Sequence, residues 1–180
     1  TPTAKPAAKQ AIDDALKAKN DAIDSNNDLT AEEKAKAKED AKAKADAAKQ
    51  AIDNATTNDA VTQAKNAGAT SVDSVTPTPV VKPAAKQAID DALKAKNDAI
   101  DSNNDLTAEE KAKAKEDAKA KADAAKQAID NATTNDAVTQ AKNAGATSVD
   151  SVTPTPVVKP AAKQAIDDAL KAKNDAIDAN

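Results

Sequence analysis

Thr76-Pro77-Thr78-Pro79-Val80-Val81-Lys82-Pro83 decides how this chain is built. The stretch returns intact at Thr153 to Pro160, and a variant of it, Thr1-Pro2-Thr3-Ala4-Lys5-Pro6, opens the chain. Proline has no backbone donor and a fixed φ, and it biases the residue before it away from the helical region. Three prolines alternating with Thr and Val therefore read as a short, stiff, extended connector of polyproline type. Between connectors lie Ala, Lys, Asp, Glu, Asn and a few spaced aliphatics, a helix-forming composition. The connectors are joints, and the segments between them are modules.

Working outward from the joint, the chain repeats itself. Ile12, Ile89 and Ile166 recur at a constant spacing of seventy-seven residues, and Lys5 through Pro79 is repeated without a change as Lys82 through Pro156. Identity at a fixed period is the mark of a repeat architecture. A third copy begins in the second joint and runs to Asn180, with Ala179 where the earlier copies have Ser25 and Ser102. The expected division is a repeat at 1–77, an identical repeat at 78–154, and a partial third at 155–180 holding only a first helix. A chain opening on Thr1-Pro2-Thr3 reads as a piece of a longer polypeptide.

Punctuation places the helices inside a repeat. Pro6 suits the first helical position, where a missing donor is harmless. The first helix is expected over 6–24, with Ala8, Ile12, Ala15, Leu16, Ala22 and Ile23 on one face. Lys9, Asp13, Lys17 and Asp21 set opposite charges four apart on another face. Ser25-Asn26-Asn27-Asp28 is turn chemistry. Thr30 with Glu33 is a capping box, and it opens a second helix over 31–55 with Glu32 and Glu33 at the positive end of its dipole.

The Lys-Ala alternation from Lys34 to Lys44 imitates a strand period, but neither residue favours strands. Ala41, Ala45, Ala48, Ile52 and Ala55 follow helical spacing instead. Thr56-Thr57-Asn58-Asp59 is the next break, with Thr57 or Asn58 as the cap. A third helix over 59–75 carries Val61, Ala64, Gly68, Val72 and Val75 on one side. Gly68 costs about 1 kcal/mol against Ala in a helix interior, which calls for either close approach by a neighbouring helix or a local kink. The second repeat places the same helices at 83–101, 108–132 and 136–152. The remaining stretch from Pro160 to Asp178 is expected to be helical, projecting alone or packing on another copy.

The fold class is all-α: tandem antiparallel three-helix bundles joined head to tail by short Pro-rich linkers into an elongated rod. An odd number of helices brings the chain in at one end of a module and out at the other. The second helix, about 25 residues long, spans roughly 37 Å, so each repeat advances the array by roughly 30 to 50 Å. Large aliphatics are few and Ala fills most inward positions, so each module has a thin core and modest stability.

Composition narrows the function. The chain has no Cys, His, Met, Trp, Tyr or Phe, so zinc, haem, iron–sulfur and disulfide chemistry and His-based nucleophile pairs lack their residues. The net charge is -4, and Lys alternates with Asp and Glu. That leaves no basic stripe for a phosphate backbone and no aromatic on which a base could stack. No apolar run reaches bilayer length, and no stretch of these residues reads as a signal peptide.

Three stretches invite a chemical reading. Asp24, Asn26 and Asp28 match the first, third and fifth ligand positions of a calcium loop, but Leu29 replaces the required Gly and Ala35 the bidentate Glu. The pairs Asp13-Asp14, Asp90-Asp91 and Asp167-Asp168 suggest acid–base work, yet adjacent helical residues diverge by about 100°, so a solvated face is the better reading. The Lys face from Lys34 to Lys44, interleaved with Glu39 and Asp40, is a solubilising surface. We assign no catalytic, cofactor-binding or metal-ligating residue and no cofactor, and we expect no enzymatic activity.

Leu29-Thr30-Ala31-Glu32-Glu33-Lys34, the preceding Ala-Ile-Asp to Asn-Asn-Asp run, and Ala55-Thr56 to Asn58-Asp59-Ala60-Val61 together resemble the tandem three-helix repeats in the rods of Gram-positive surface adhesins. One such family is classed as a domain of unknown function, and related repeats occur in a giant staphylococcal extracellular-matrix-binding protein. The resemblance covers the whole of each module. It implies a cell-wall-anchored, extracellular protein whose repeats hold a distal binding domain away from the cell. The Pro-rich joint departs from relatives in which helices run on between units.

Three functions follow as expectations. The first is a structural stalk, monomeric, whose partners are neighbouring repeats of the same chain. The second is a three-helix module that binds a host plasma or matrix protein, although such interfaces lean on aromatic anchors that are absent here. The third is a desiccation-protective chain that is disordered in water. Nucleic acid and membrane insertion are not expected.

Overall fold

The computed structural model describes residues 3–180 and holds seven α-helices, with no strand among the described residues. Thr1 and Pro2, which open the variant connector, lie outside the described residues. The helices are α1 (Ala4–Asp24), α2 (Ala31–Asn54), α3 (Asn58–Asp73), α4 (Val81–Asp101), α5 (Ala108–Asn131), α6 (Asn135–Asp150) and α7 (Val158–Ala179). The chain divides into two compact units. The first takes residues up to Ala84 together with Asp130–Val138, and the second takes Ala85–Ile129 and Thr139–Asn180.

In the first unit α1, α2 and α3 pack pairwise against one another. Ala8, Ile12, Ala45, Ala48, Ile52, Val61 and Val72 form the main core. Ile23, Leu29 and Ala37 form a second cluster. Ion pairs cross from α1 to α2 in reverse order: Lys9 with Asp53, Asp13 with Lys49 at 2.8 Å, and Asp24 with Lys38 at 2.8 Å. That order makes the two helices antiparallel. Lys19 reaches Asp73 at 3.8 Å, joining the same ends of α1 and α3, which run parallel. The bundle is up-down-up.

Local chemistry starts and stops these helices much as the sequence implies. The Thr30 hydroxyl accepts from Glu33 N–H at 3.2 Å while Glu33 Oε1 accepts from Thr30 N–H at 2.9 Å, completing the capping box. Thr57, not Asn58, caps α3, taking the Ala60 N–H at 3.0 Å. Ser74 closes α3 two residues earlier than expected, its hydroxyl donating to Ser71 O at 2.6 Å. Helices α1 and α4 begin two residues before Pro6 and Pro83. A helix leaves its first four N–H groups without internal partners, so Pro is tolerated anywhere in that first turn.

At Gly68 α3 lies close against α2. A Cβ placed there would overlap Ala48 Cβ and come within 3.0 Å of Ile12 Cδ1. Close approach, not a kink, accounts for the glycine. Lys17 and Asp21 pair along α1 at 2.9 Å as the spacing implies. Lys9 and Asp13 do not pair with each other; each reaches across to α2. A cross-helix partner ties two elements, whereas an exposed pair within one helix adds only a few tenths of a kcal/mol.

The second unit repeats this chemistry. Ile89, Ala118, Ala122, Ile129 and Val149 are fully buried, and Ile100, Leu106 and Ala114 cluster with Val152 against them. Asp90 pairs with Lys126 at 2.7 Å and Asp101 with Lys115 at 2.8 Å. Gly145 meets Ala125 and Ile89 as Gly68 meets Ala48 and Ile12. Helix α7 is helical as expected, and none of its residues is buried.

Candidate functional site

A polar cluster lies at the joint. It is built from the turn Ser25–Thr30, the first turn of α2, the connector Thr76–Val80, the first turn of α4, and residues 130–138, all within the first unit. Asn26 Oδ1 accepts the Asp28 N–H at 3.0 Å and shapes the turn, while Leu29 and Thr30 are buried beneath it.

Glu33 works in two directions. Its Oε1 closes the capping box of α2, and its Oε2 accepts the N–H groups of Val80 and Val81 at 3.0 and 3.2 Å. One carboxylate thus caps the N-termini of two helices, where helix dipoles favour an anion. Burial is the largest influence on its carboxyl and raises the pKa. The N–H donors of Thr30, Val80 and Val81 together outweigh it and hold the group below its ordinary value. A carboxyl whose folded-state pKa is depressed stabilises above its unfolded pKa, and that contribution is lost as pH falls through the folded value. Urea midpoints of the native chain and Glu33→Gln should therefore differ at neutral pH and converge on acidification below the usual carboxylate range. A gap independent of pH would assign the effect to shape alone.

Lys82 is the second tie. Its Nζ donates to Asn27 O at 2.7 Å and to Asp130 O at 2.8 Å, and the residue is only 4% exposed. Two further bonds flank it: Ala31 N–H to Thr133 O at 2.7 Å, and Asn135 N–H to Glu32 Oε1 at 3.0 Å. In the second unit Glu110 Oε2 takes the N–H groups of Val157 and Val158 at 2.9 and 3.2 Å, and Lys159 Nζ donates to Asn104 O at 2.7 Å. Hydrogen bonds from Thr107 and Val157 lead in holding Glu110 below its ordinary pKa, against a smaller opposing effect of desolvation.

Charged hydrogen bonds contribute about 1.5–3 kcal/mol, and truncating Lys82 also leaves two carbonyls to find new donors. Lys82→Ala is expected to destabilise the first unit by about 2 kcal/mol. Lys159→Ala, at an exposed residue, should stay within about 0.5 kcal/mol. Hydrogen exchange over residues 24–34 and 76–84 reads the difference, and equal effects from the two substitutions would refute it.

The stretches with a chemical reading are otherwise engaged. Asp24 pairs with Lys38, its carbonyl takes Lys34 Nζ at 2.8 Å, and Asn26 Oδ1 serves the turn. Among the described residues no group of three or more Asp or Glu is placed to hold a metal ion. Asp13 pairs with Lys49, whereas Asp14 accepts from Gln10 Nε2 at 2.9 Å, so the neighbours serve different partners. Asp90 and Asp91 divide likewise between Lys126 and Gln87, and Asp168 accepts from Gln164. The Lys face is partly structural, since Lys34 and Lys38 both hold the end of α1. A groove of about 760 Å³ runs between α2 and the connector, lined by Glu32, Glu33, Lys36, Asp40, Thr76–Thr78 and Val80. The Glu33 bonds to Val80 and Val81 cross it, and Lys36 and Asp40 pair with each other along α2 at 2.7 Å.

The sequence repeat on either side of this joint is also recognised by one family profile, which matches the chain twice. A Domain of Unknown Function, DUF1542, covers residues 4–80 and again 81–157. The chain belongs to the DUF1542 family. Each match begins at the first residue of a first helix, α1 or α4, and includes the connector that follows its third helix. The chain is similar to the extracellular matrix-binding protein ebh of Staphylococcus aureus strain MRSA252, 35% identical over 142 residues. It is also similar to the extracellular matrix-binding protein EbhA of strain Mu50, 34% identical over 142 residues. Both alignments cover 79% of this chain, but only 1% of the first protein and 2% of the second. No solved structure matches the chain. Within DUF1542 terms, Glu33 and Lys82 are joint residues. In the sequence Glu33 belongs to the cap of its own helix and Lys82 to the connector; their tying partners do not show, because they lie 47 to 55 residues away.

Proposed function

We propose that this chain is a spacer segment in the stalk of a bacterial surface adhesin, its DUF1542 repeats holding a distal ligand-binding domain away from the cell wall. The observation that carries the reading is the built joint: Glu33 and Lys82 bind the connector and the first turn of α4 to the end of the preceding bundle. A connector fixed by its own hydrogen bonds transmits position from one repeat to the next, which a flexible linker does not. Identical copies suit a spacer, because length and not local chemistry is the property being repeated. On this reading each repeat, at 1–77 and 78–154, is a module of a monomeric, extracellular, wall-anchored rod without catalytic activity. No described helix is long and apolar enough to cross a membrane.

Solution scattering on constructions of one, two and three repeats tests the proposal. The maximum dimension should rise by a near-constant step of roughly 30 to 50 Å per repeat. A particle that stays compact as repeats are added would end the spacer reading.

A second reading has its own support. The relatives are named extracellular matrix-binding proteins, so the repeats themselves are candidates for a matrix contact. The absence of aromatic anchors weighs against it, because interface energy concentrates in Trp, Tyr and Arg. Capture of a purified matrix protein by this chain at micromolar affinity or tighter would favour that reading over the spacer.

A further inference from the structure

Helices α1, α4 and α7 carry one sequence from Lys5, Lys82 and Lys159 onward, yet they meet different surroundings. Ile12 and Ile23 of α1 are buried beneath α2 and α3. Their counterparts on α7 are open: Ile166 is 70% exposed, Leu170 57% and Ile177 61%. The helix is nonetheless held at its start, through Glu110 on the N–H groups of Val157 and Val158 and through Lys159 on Asn104 O.

We propose that this open face of α7, together with Lys159 and the first turn of α5, is a docking surface for the second and third helices of another copy of the repeat. The first unit shows what such a pair brings. There Lys82 Nζ donates to Asp130 O, the Ala31 N–H donates to Thr133 O, and Glu32 Oε1 accepts the Asn135 N–H. The matching groups of the second unit are Lys159, Ala108 N–H and Glu109. A segment with the sequence of residues 27–76 supplies every complement at its equivalent position: the carbonyls of Asp53 and Thr56 and the N–H of Asn58. It also supplies Ile52 for the apolar stripe and Gly68 for close approach. The partner is thus specified by an apolar stripe and three polar points together, which a generic amphipathic helix does not satisfy.

The test is titration of the full chain with a synthetic segment of residues 27–76, followed by calorimetry and by hydrogen exchange over α7. Saturable one-to-one binding with slowed exchange at residues 161–178 is expected. Ile166→Asp combined with Ile177→Asp should weaken binding by more than about a hundredfold, from the burial two aliphatics would lose. These positions are exposed in the chain alone, so the substitutions should leave its own fold intact. Lys171→Ala should bind as the native chain does, because its counterpart Lys17 remains exposed in the packed bundle. Absence of binding, or binding indifferent to the Asp substitutions, would overturn the proposal. So would self-association through α7 that the segment fails to displace. Appending residues 104–157 after Asn180 gives the same readout within one chain: α7 should then gain protection, and its persistence as an open helix would equally refute the idea.

Discussion

Ile12→Ala should lower the stability of the first unit by about 3–4 kcal/mol, whereas Ile166→Ala, at the same place in the repeat, should change stability by less than about 0.5 kcal/mol. The side chains are identical and their neighbours along the chain are identical; only tertiary burial differs. Ile12 is fully buried, while Ile166 faces solvent. Removing buried methylenes forfeits transfer free energy and leaves a cavity whose penalty depends on how far the surroundings relax. Around Ile12 several of the neighbours are Ala8, Ala45 and Ala48, which have no side-chain torsion with which to fill the void. That keeps the expected effect clear of the lower end of the range for Ile→Ala. A domain of this size is stabilised by only about 0.05–0.15 kcal/mol per residue, so the loss is a large fraction of the total. Urea unfolding followed by circular dichroism, with hydrogen exchange to locate the change in α1–α3, measures it. Equal effects at the two positions would show that α1 is not packed as described.

Gly68→Ala is the second large effect, and its sign is the informative part. In an isolated helix the substitution gains about 1 kcal/mol of propensity. Here the new methyl would overlap Ala48 Cβ, which is fixed to the backbone of α2 and cannot rotate away. Ile12 Cδ1, 3.0 Å from the added atom, can move, but only within a core that is already filled. Overpacking typically costs about 1–3 kcal/mol, and a rigid obstacle puts this case at the upper end. The net expectation is destabilisation by about 2 kcal/mol, or a fall of about 10 °C in Tm for a unit of this size. Ala48→Gly in the same chain should restore much of the loss, so the double variant should be more stable than the two single effects summed. A higher Tm for Gly68→Ala alone would mean that α2 and α3 stand farther apart.

Much of the fold was legible because its signals are local. The capping box at Thr30 and Glu33, the Thr57 cap, the turn at Ser25–Asp28 and the Lys17–Asp21 pair each involve residues two to four apart. Chain geometry alone brings such residues together. The apolar spacing of Ile12, Ile52 and Val72 named the core for the same reason, since helical periodicity is a property of the chain before it folds. Gly68 announced an anomaly but not its cause; only the placement of Ala48 against it chose close approach over a kink.

The joint was not legible. Glu33 is an ordinary capping residue in the sequence, and nothing nearby shows that its second oxygen will hold Val80 and Val81. Lys82 is one of 26 basic residues, and its place between Asn27 O and Asp130 O depends on three segments far apart in the chain. Lys9 and Asp13 have the spacing of a helical pair, yet the approach of α2 offers each a better placed partner.

The amino-acid order by itself determined the all-α class, the period of the repeat, the helix caps and the absence of residues for most metal and nucleophile chemistry. These follow from backbone propensity and composition, which need no distant contact. Tertiary packing alone decided which lysines and carboxylates tie elements together, and it made Ile12 a core residue while leaving Ile166 in water. Burial and long-range hydrogen bonds arise only when separate helices meet.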